Sequence, residues 1–444
     1  MKIATRVVLL VCTLLITLLM TGCGGGGGGT NPFTYFKASN TDAGDYFGRS
    51  VALSDDGTTL AVGAYHEDSD GTIESNNNAT AAGAVYVFTS VGGWQQQAYV
   101  KAPTPAAYDW FGFSVALSAD GSTLAVGAPQ LSTSNGVVYI YTRSGSTWTF
   151  QKAVTGGASG DYFGYAVALS DDGSVLAVGA PHESTTTPYS GALYVYTTVD
   201  SWSNIATSDA IKSAGAASEQ DAQLGVSIAL NGSGTVLAGG ANDLSGGPGF
   251  ARIFIPSGGW ASPSEVDIAA TGGANGDEFG VSVSLNTTGD TLAVGAWQES
   301  TSALKSGAAY VFVTPNPSTW ATPTETYVKA TSPAAYDNFG VSVSLNGSGN
   351  TLNVGAPALA PALKTGTVYR IVNSGTWAGG IASEQVITPP SGNVGDEFGF
   401  SVSSATSGSL AIGSTGEDSA ATGVNGDKTD NSKPDSGAAY VYAP

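Results

Sequence analysis

A chain of 444 residues could hold about three ordinary domains, and its 42% apolar content excludes a disordered protein. Its 15 Lys and Arg against 35 Asp and Glu give a formal charge of −20, which disfavours nucleic acid and anionic lipid surfaces as partners and suits cations or basic surfaces. With 62 Gly and much Ala, Ser, Thr and Val, the composition favours strands and tight turns over helices.

The N-terminus reads as a targeting segment outside the fold. Lys2 and Arg6 precede an apolar stretch, residues 7–20, that is too short for a stable membrane span. Met20, Thr21 and Gly22 then lead to Cys23, and this ending resembles the lipobox of bacterial lipoproteins, although Leu is commoner where Met20 stands. The resemblance implies a signal peptide over residues 1–22, cleavage before Cys23, a diacylglyceryl group on its thiol and acylation of the new amine. An ordinary signal peptide with an incidental cysteine is the alternative. Residues 23–32 would then be a lipidated Cys and a Gly-rich tether. Three acyl chains anchor stably where one does not. Cys12 leaves with the leader, so the folded body carries no thiol. If the envelope is Gram-negative, Gly24 after Cys23, in place of Asp, points to its outer membrane.

Past the tether, Tyr35-Phe36-Lys37-Ala38 reads as a strand, and it matches Tyr99-Val100-Lys101-Ala102 and Tyr327-Val328-Lys329-Ala330 further on. Seven similar units follow. They open at Phe47-Gly48, Phe111-Gly112, Phe163-Gly164, Leu224-Gly225, Phe279-Gly280, Phe339-Gly340 and Phe398-Gly399. In the second unit, large Phe111, Phe113, Val115 and Leu117 alternate with small residues, a period of two that means a strand. Asp120-Gly121 supplies a hairpin turn. A second strand over 123–128, a third over 137–141 and a fourth around 150–154 complete the unit. The chain ends at Tyr440-Val441-Tyr442, after only three strands of the seventh unit. One leading strand, six complete units and three trailing strands make seven blades of four. The expected fold is therefore all-β: a seven-bladed β-propeller over residues 33–444, its ring closed by the N-terminal strand so that no edge is left exposed. An open solenoid is the alternative.

Phe-Gly, followed by Gly-Ala-Pro at Gly127, Gly179 and Gly355 and then by Gly-x-x-Tyr-Val, resembles the FG-GAP repeat of the integrin α-subunit propeller. It is closer still to the bacterial FG-GAP lipoproteins. The resemblance implies adhesion or partner recognition. Integrin repeats carry calcium between their first two strands, but Ser54-Asp55-Asp56-Gly57 and its counterparts are too short and too poor in carboxylates for that. Those metal sites are not carried over.

Acidic residues gather in the loops of one face. Asp45, Asp109, Asp161, Asp277, Asp337 and Asp396 stand two positions before Phe-Gly, and such repetition reads as turn-holding by backbone hydrogen bonds. Glu67, Glu183, Glu299 and Glu417 stand three positions after Gly-Ala or its counterpart. Two loops break the repetition, residues 65–82 and 415–436, in blades that ring closure makes neighbours. Glu417, Asp418, Asp427, Asp430 and Asp435 could fold around a calcium ion or form a solvated loop, and Glu67, Asp68 and Asp70 would belong to the same binding face.

His66 and His182, the two histidines, sit in separate units without a third ligand. Recurrent tryptophans, among them Trp202, Trp320 and Trp377, read first as packing and second as sugar platforms. No nucleophile–base constellation appears. The expected function is a non-enzymatic, lipid-anchored envelope propeller that binds a protein or glycan through its acidic loop face. A calcium-dependent lectin-like module is the next reading, and a hydrolase working through a carboxylate pair is the third.

Overall fold

Each of the first six sequence units folds as one four-stranded antiparallel meander, and the seventh takes its fourth strand from the N-terminal end of the body. The computed structural model describes residues 32–130, 135–184, 187–211, 220–362 and 364–444; the leader, Cys23 and nearly all of the tether lie outside these. Blades 1 to 6 span residues 50–100, 114–155, 167–211, 227–268, 279–328 and 342–387. Blade 7 takes three strands from residues 398–442 and its fourth, Phe33–Phe36, from the other end of the body. That closing strand pairs antiparallel with Ala438–Tyr442, Tyr35 opposite Tyr440. The seven-bladed ring is therefore closed by the N-terminal strand, as its sequence implies.

The repeated glycines mark where blades touch. A Cβ at Gly63 would lie 2.0 Å from the Gly112 carbonyl oxygen of the next blade, so only glycine permits that approach. Six of the seven Phe-Gly carbonyls then meet a serine from the preceding blade. Ser50 Oγ donates to Gly112 O at 2.9 Å and Ser114 Oγ to Gly164 O at 2.8 Å. Four more such bonds run from Ser227, Ser282, Ser342 and Ser401, the last reaching Gly48 O and so crossing the seam from blade 7 to blade 1. Blade 3 carries Ala166 at this position. The Phe rings are core: Phe47, Phe111 and Phe163 are fully buried.

At the opposite end of the axis the hairpin tips join one another. Six backbone hydrogen bonds of 2.9–3.2 Å, from Asp55, Ala119, Asp171, Gly232, Thr287 and Ser407, link neighbouring tips and narrow the channel there. The inner strands of blades 5 and 7 begin at Phe279 and Phe398, whereas those of the other blades are shorter than the period-two pattern suggests. The second unit's first strand begins at Ser114, because Gly112 at φ +89° turns the chain before it. Trp202, Trp320 and Trp377 are buried, and each indole N–H donates to the hairpin glycine of its own blade, at Gly173, Gly289 and Gly349. They are packing groups.

Candidate functional site

The closing strand is held by buried chemistry as well as by its ladder. Lys37 Nζ donates to Glu417 Oε2 at 2.8 Å and to Ser436 Oγ at 2.7 Å. Tyr35 OH donates to Glu417 Oε1 at 2.9 Å and lies 2.6 Å from Ser419 Oγ. Burial pushes the Tyr35 hydroxyl up, with the Glu417 carboxylate adding to the effect. Burial also pulls the Lys37 amine down, against the upward pull of Glu417. The long loop of blade 7 folds over this strand. Gly423 O accepts from the Lys37 N–H, the Asn425 N–H donates to Tyr35 O, and Phe36 bridges to Val424. The loop thus covers the outer edge of the last strand to join the ring, the edge that would otherwise invite pairing with another chain.

The same Glu–Lys pairing recurs. Lys101 Nζ donates to Glu67 Oε2 at 2.6 Å in blade 1, and Lys329 pairs with Glu299 in blade 5. In blade 3, Glu183 accepts from Tyr194 OH at 2.6 Å. All four glutamates are buried. Each sits at the base of its loop, where its backbone carbonyl accepts from the glycine that opens the third strand: Gly83, Gly191, Gly307 and Gly437. Glu67 and Glu417 are therefore interior anchors of the two long loops, not groups presented on a surface. A long loop buries its own base, and an ion pair satisfied by further hydrogen bonds is one way to fill it.

The repeated aspartates hold turns. Asp45 Oδ2 accepts the Asp42 N–H at 2.8 Å, and Asp109, Asp161, Asp277, Asp337 and Asp396 each accept the N–H three residues before them. Burial pushes the Asp45 carboxyl up to about 8 and Asp396 up to about 6.

The calcium candidates are dispersed. Glu417 takes Lys37, Asp418 accepts the Asp435 N–H at 2.9 Å, Asp427 holds Thr429, and Asp430 accepts the Ser432 N–H at 3.0 Å. On the neighbouring blade, Asp68 accepts the Ala81 N–H at 2.7 Å. Asp70, whose carboxyl is held well below the usual range by Thr72, Asn76 and Asn78, organises its own turn. Among the described residues no three His, Cys, Asp or Glu side chains converge as metal ligands.

The two long loops nonetheless meet. Asp42, in the link that leads into blade 1, accepts from Asn77 Nδ2 at 3.1 Å on one side and from Lys433 Nζ at 2.5 Å on the other. The exposed carboxylates of this seam are Glu74, Asp427, Asp430 and Asp435.

The channel opens on the same face. A cavity of about 410 Å³ runs along the axis. Its rim is formed by the residues after each Phe-Gly: Arg49, Phe113, Tyr165 and Phe400 on one arc, valines on the other. The Arg49 guanidinium lies 4.2 Å from the Phe113 ring centre and 5.1 Å from that of Phe400. Tyr65, His66 and Trp110 pack beside this arc, with Tyr65 and Phe113 rings 5.5 Å apart and His66 and Trp110 rings 5.4 Å apart. Burial lowers the His66 imidazole. His182 sits on another blade, stacked on Tyr162 at 4.0 Å. In the sequence Arg49 is marked only as a lone cation at a position otherwise aromatic or aliphatic.

Residues 35–88, 94–141, 148–196 and 264–312 match the FG-GAP repeat. Together these four matched stretches cover a little under half of the chain. Each match begins on an outer strand and runs through the three inner strands of the next blade, the same one-strand offset that ring closure requires. Blades 4, 6 and 7 repeat that architecture beyond the matched stretches. No curated protein matches the chain. Among solved structures, hydrazine synthase of Kuenenia stuttgartiensis is similar, with a TM-score of 0.51 and 13% identity over 88% of this chain and 96% of that one. At that identity the likeness speaks to the fold alone.

Proposed function

We propose that this chain is a lipid-anchored, non-enzymatic recognition propeller of the bacterial cell envelope. It would bind a protein or glycan partner through the face carrying the loops of residues 65–82 and 415–436. The observation that carries the reading is the junction at Asp42, where both loops are tied to one carboxylate on a rigid ring. Loops fixed on such a scaffold are a common seat of binding. With the glutamates turned inward, the surface charge of the seam comes from Glu74, Asp427, Asp430 and Asp435, which favours a basic partner surface.

The test uses the intact protein against envelope extracts and a glycan array. A Glu74→Gln, Asp427→Asn, Asp430→Asn variant should bind the captured partner at least tenfold more weakly, and wild-type binding should weaken with salt. Capture that the triple variant leaves unchanged would remove this face from consideration. Anchoring is tested separately. Cys23→Ser should move the protein from the membrane to the soluble fraction, and retention after a high-salt wash would overturn the lipid reading.

A further inference from the structure

We propose that the mouth of the propeller channel binds a small amphiphilic monoanion, a carboxylate with an apolar tail, with its head on Arg49 and its tail down the axis. This site is distinct from the loop seam and does not depend on the reading given to it.

Three observations carry the proposal. Arg49 is the one charged side chain lining the cavity, and among the described residues it forms no ion pair or hydrogen bond; its neighbours are the faces of Phe113 and Phe400. Glu397 is close enough to feel Arg49, but its carboxylate is held by Thr415 Oγ1 at 2.6 Å. A guanidinium with free N–H groups, flattened between two rings, is laid out to take a planar carboxylate.

The second observation is the wall. Below the rim comes the ring of serines, whose hydroxyls already donate to Phe-Gly carbonyls. Below them lie aliphatic side chains including Val51, Val115, Ile228 and Val343. One cation above an apolar shaft offers too few donors for phosphate or a sugar acid. It suits a single charge with hydrocarbon behind it, each buried methylene adding to the affinity.

The third is size and field. About 410 Å³ falls within the usual range for small-molecule sites. A chain of formal charge −20 repels anions at a distance, so burial of a tail must supply the affinity that charge alone does not.

The experiment is calorimetric titration of the full chain with butanoate, octanoate, 1-octanol and inorganic phosphate. The comparison is Arg49→Val, which installs the residue that blades 4, 5 and 6 carry there as Val226, Val281 and Val341. Both proteins share residues 1–32, so any binding in that segment cancels. Octanoate should bind saturably and more tightly than butanoate, and at least tenfold more tightly than 1-octanol or phosphate. Arg49→Val should lose at least tenfold for octanoate and leave 1-octanol unchanged. If Arg49→Val fails to fold, Arg49→Lys keeps the charge and should keep the preference for octanoate over 1-octanol. Octanoate binding that ignores Arg49, or phosphate binding as tightly as octanoate, would overturn the proposal.

Discussion

Lys37 and Glu417 stand 380 residues apart in the chain and meet at 2.8 Å in the interior, with side-chain exposures of 0% and 5%. The pair links the first strand of the propeller to the loop that covers it. Neither charge is solvated, so each depends on the other.

Removing one partner should therefore cost far more than removing both. Lys37→Met leaves Glu417 as an uncompensated buried charge and should destabilise the protein by about 3–5 kcal/mol. Adding Glu417→Met should recover part of that loss, although Tyr35 OH and Ser436 Oγ lose bonded neighbours. Denaturant unfolding of both singles and the double measures the coupling. Additive losses would show that the pair is not coupled.

Deleting residues 33–39 removes the closing strand together with Lys37. The Ala438–Tyr442 strand would then become an edge, and Tyr440 would lose its ring contact with Tyr35 at 5.3 Å. The melting temperature should fall by several degrees, and light scattering should show self-association through the bared ladder. A monomer with an unchanged melting curve would mean that the strand does not close the ring.

Blade number and ring closure were legible because glycine spacing and strand count are properties of the chain alone. Two features of the face were not read. Glu67 and Glu417 looked like exposed acids because their partners, Lys101 and Lys37, lie in other strands. The signal was still present in the repeats. A Glu stands three residues after the second strand in the units whose outer strand ends in Lys37, Lys101, Lys212 or Lys329, whereas Thr155, Ala269 and Thr388 end the outer strands of the rest. Lys212 lies outside the described residues. The channel mouth escaped for a different reason. Arg49, Phe113, Tyr165 and Phe400 come from four separate repeats, and only closure of the ring sets them side by side.

Two buried turn carboxylates should each favour the folded state more as pH falls. The Asp45 and Asp396 carboxyls are raised by burial to about 8 and about 6, against about 3.9 in an unfolded chain. The folded state thus holds protons that the unfolded state releases. Their contribution is complete below about pH 4 and is lost as pH rises through about 6 and about 8. The melting temperature should decline between those values. Asp45→Asn keeps an acceptor for the Asp42 N–H and should flatten the upper part of the decline. A melting temperature that rises over the same window would contradict the assignment.

The serine ring allows a stabilising change to be named in advance. Six of the seven Phe-Gly carbonyls accept a serine hydroxyl from the preceding blade, at 2.8–2.9 Å. The seventh, Gly225 O, faces the blade that carries Ala166, in a buried position. An unpaired buried carbonyl costs free energy that one added hydroxyl can relieve. Ala166→Ser adds a single oxygen where six blades already accommodate one, so neither a clash nor a changed backbone is expected. Stability should rise by about 0.5–1.5 kcal/mol. The reverse change in an intact position, Ser282→Ala, should lower it by a similar amount. Both are read from denaturant midpoints at constant slope. If Ala166→Ser is neutral while Ser282→Ala destabilises, Gly225 O already has a partner in solution, and the gap at blade 3 is filled by water.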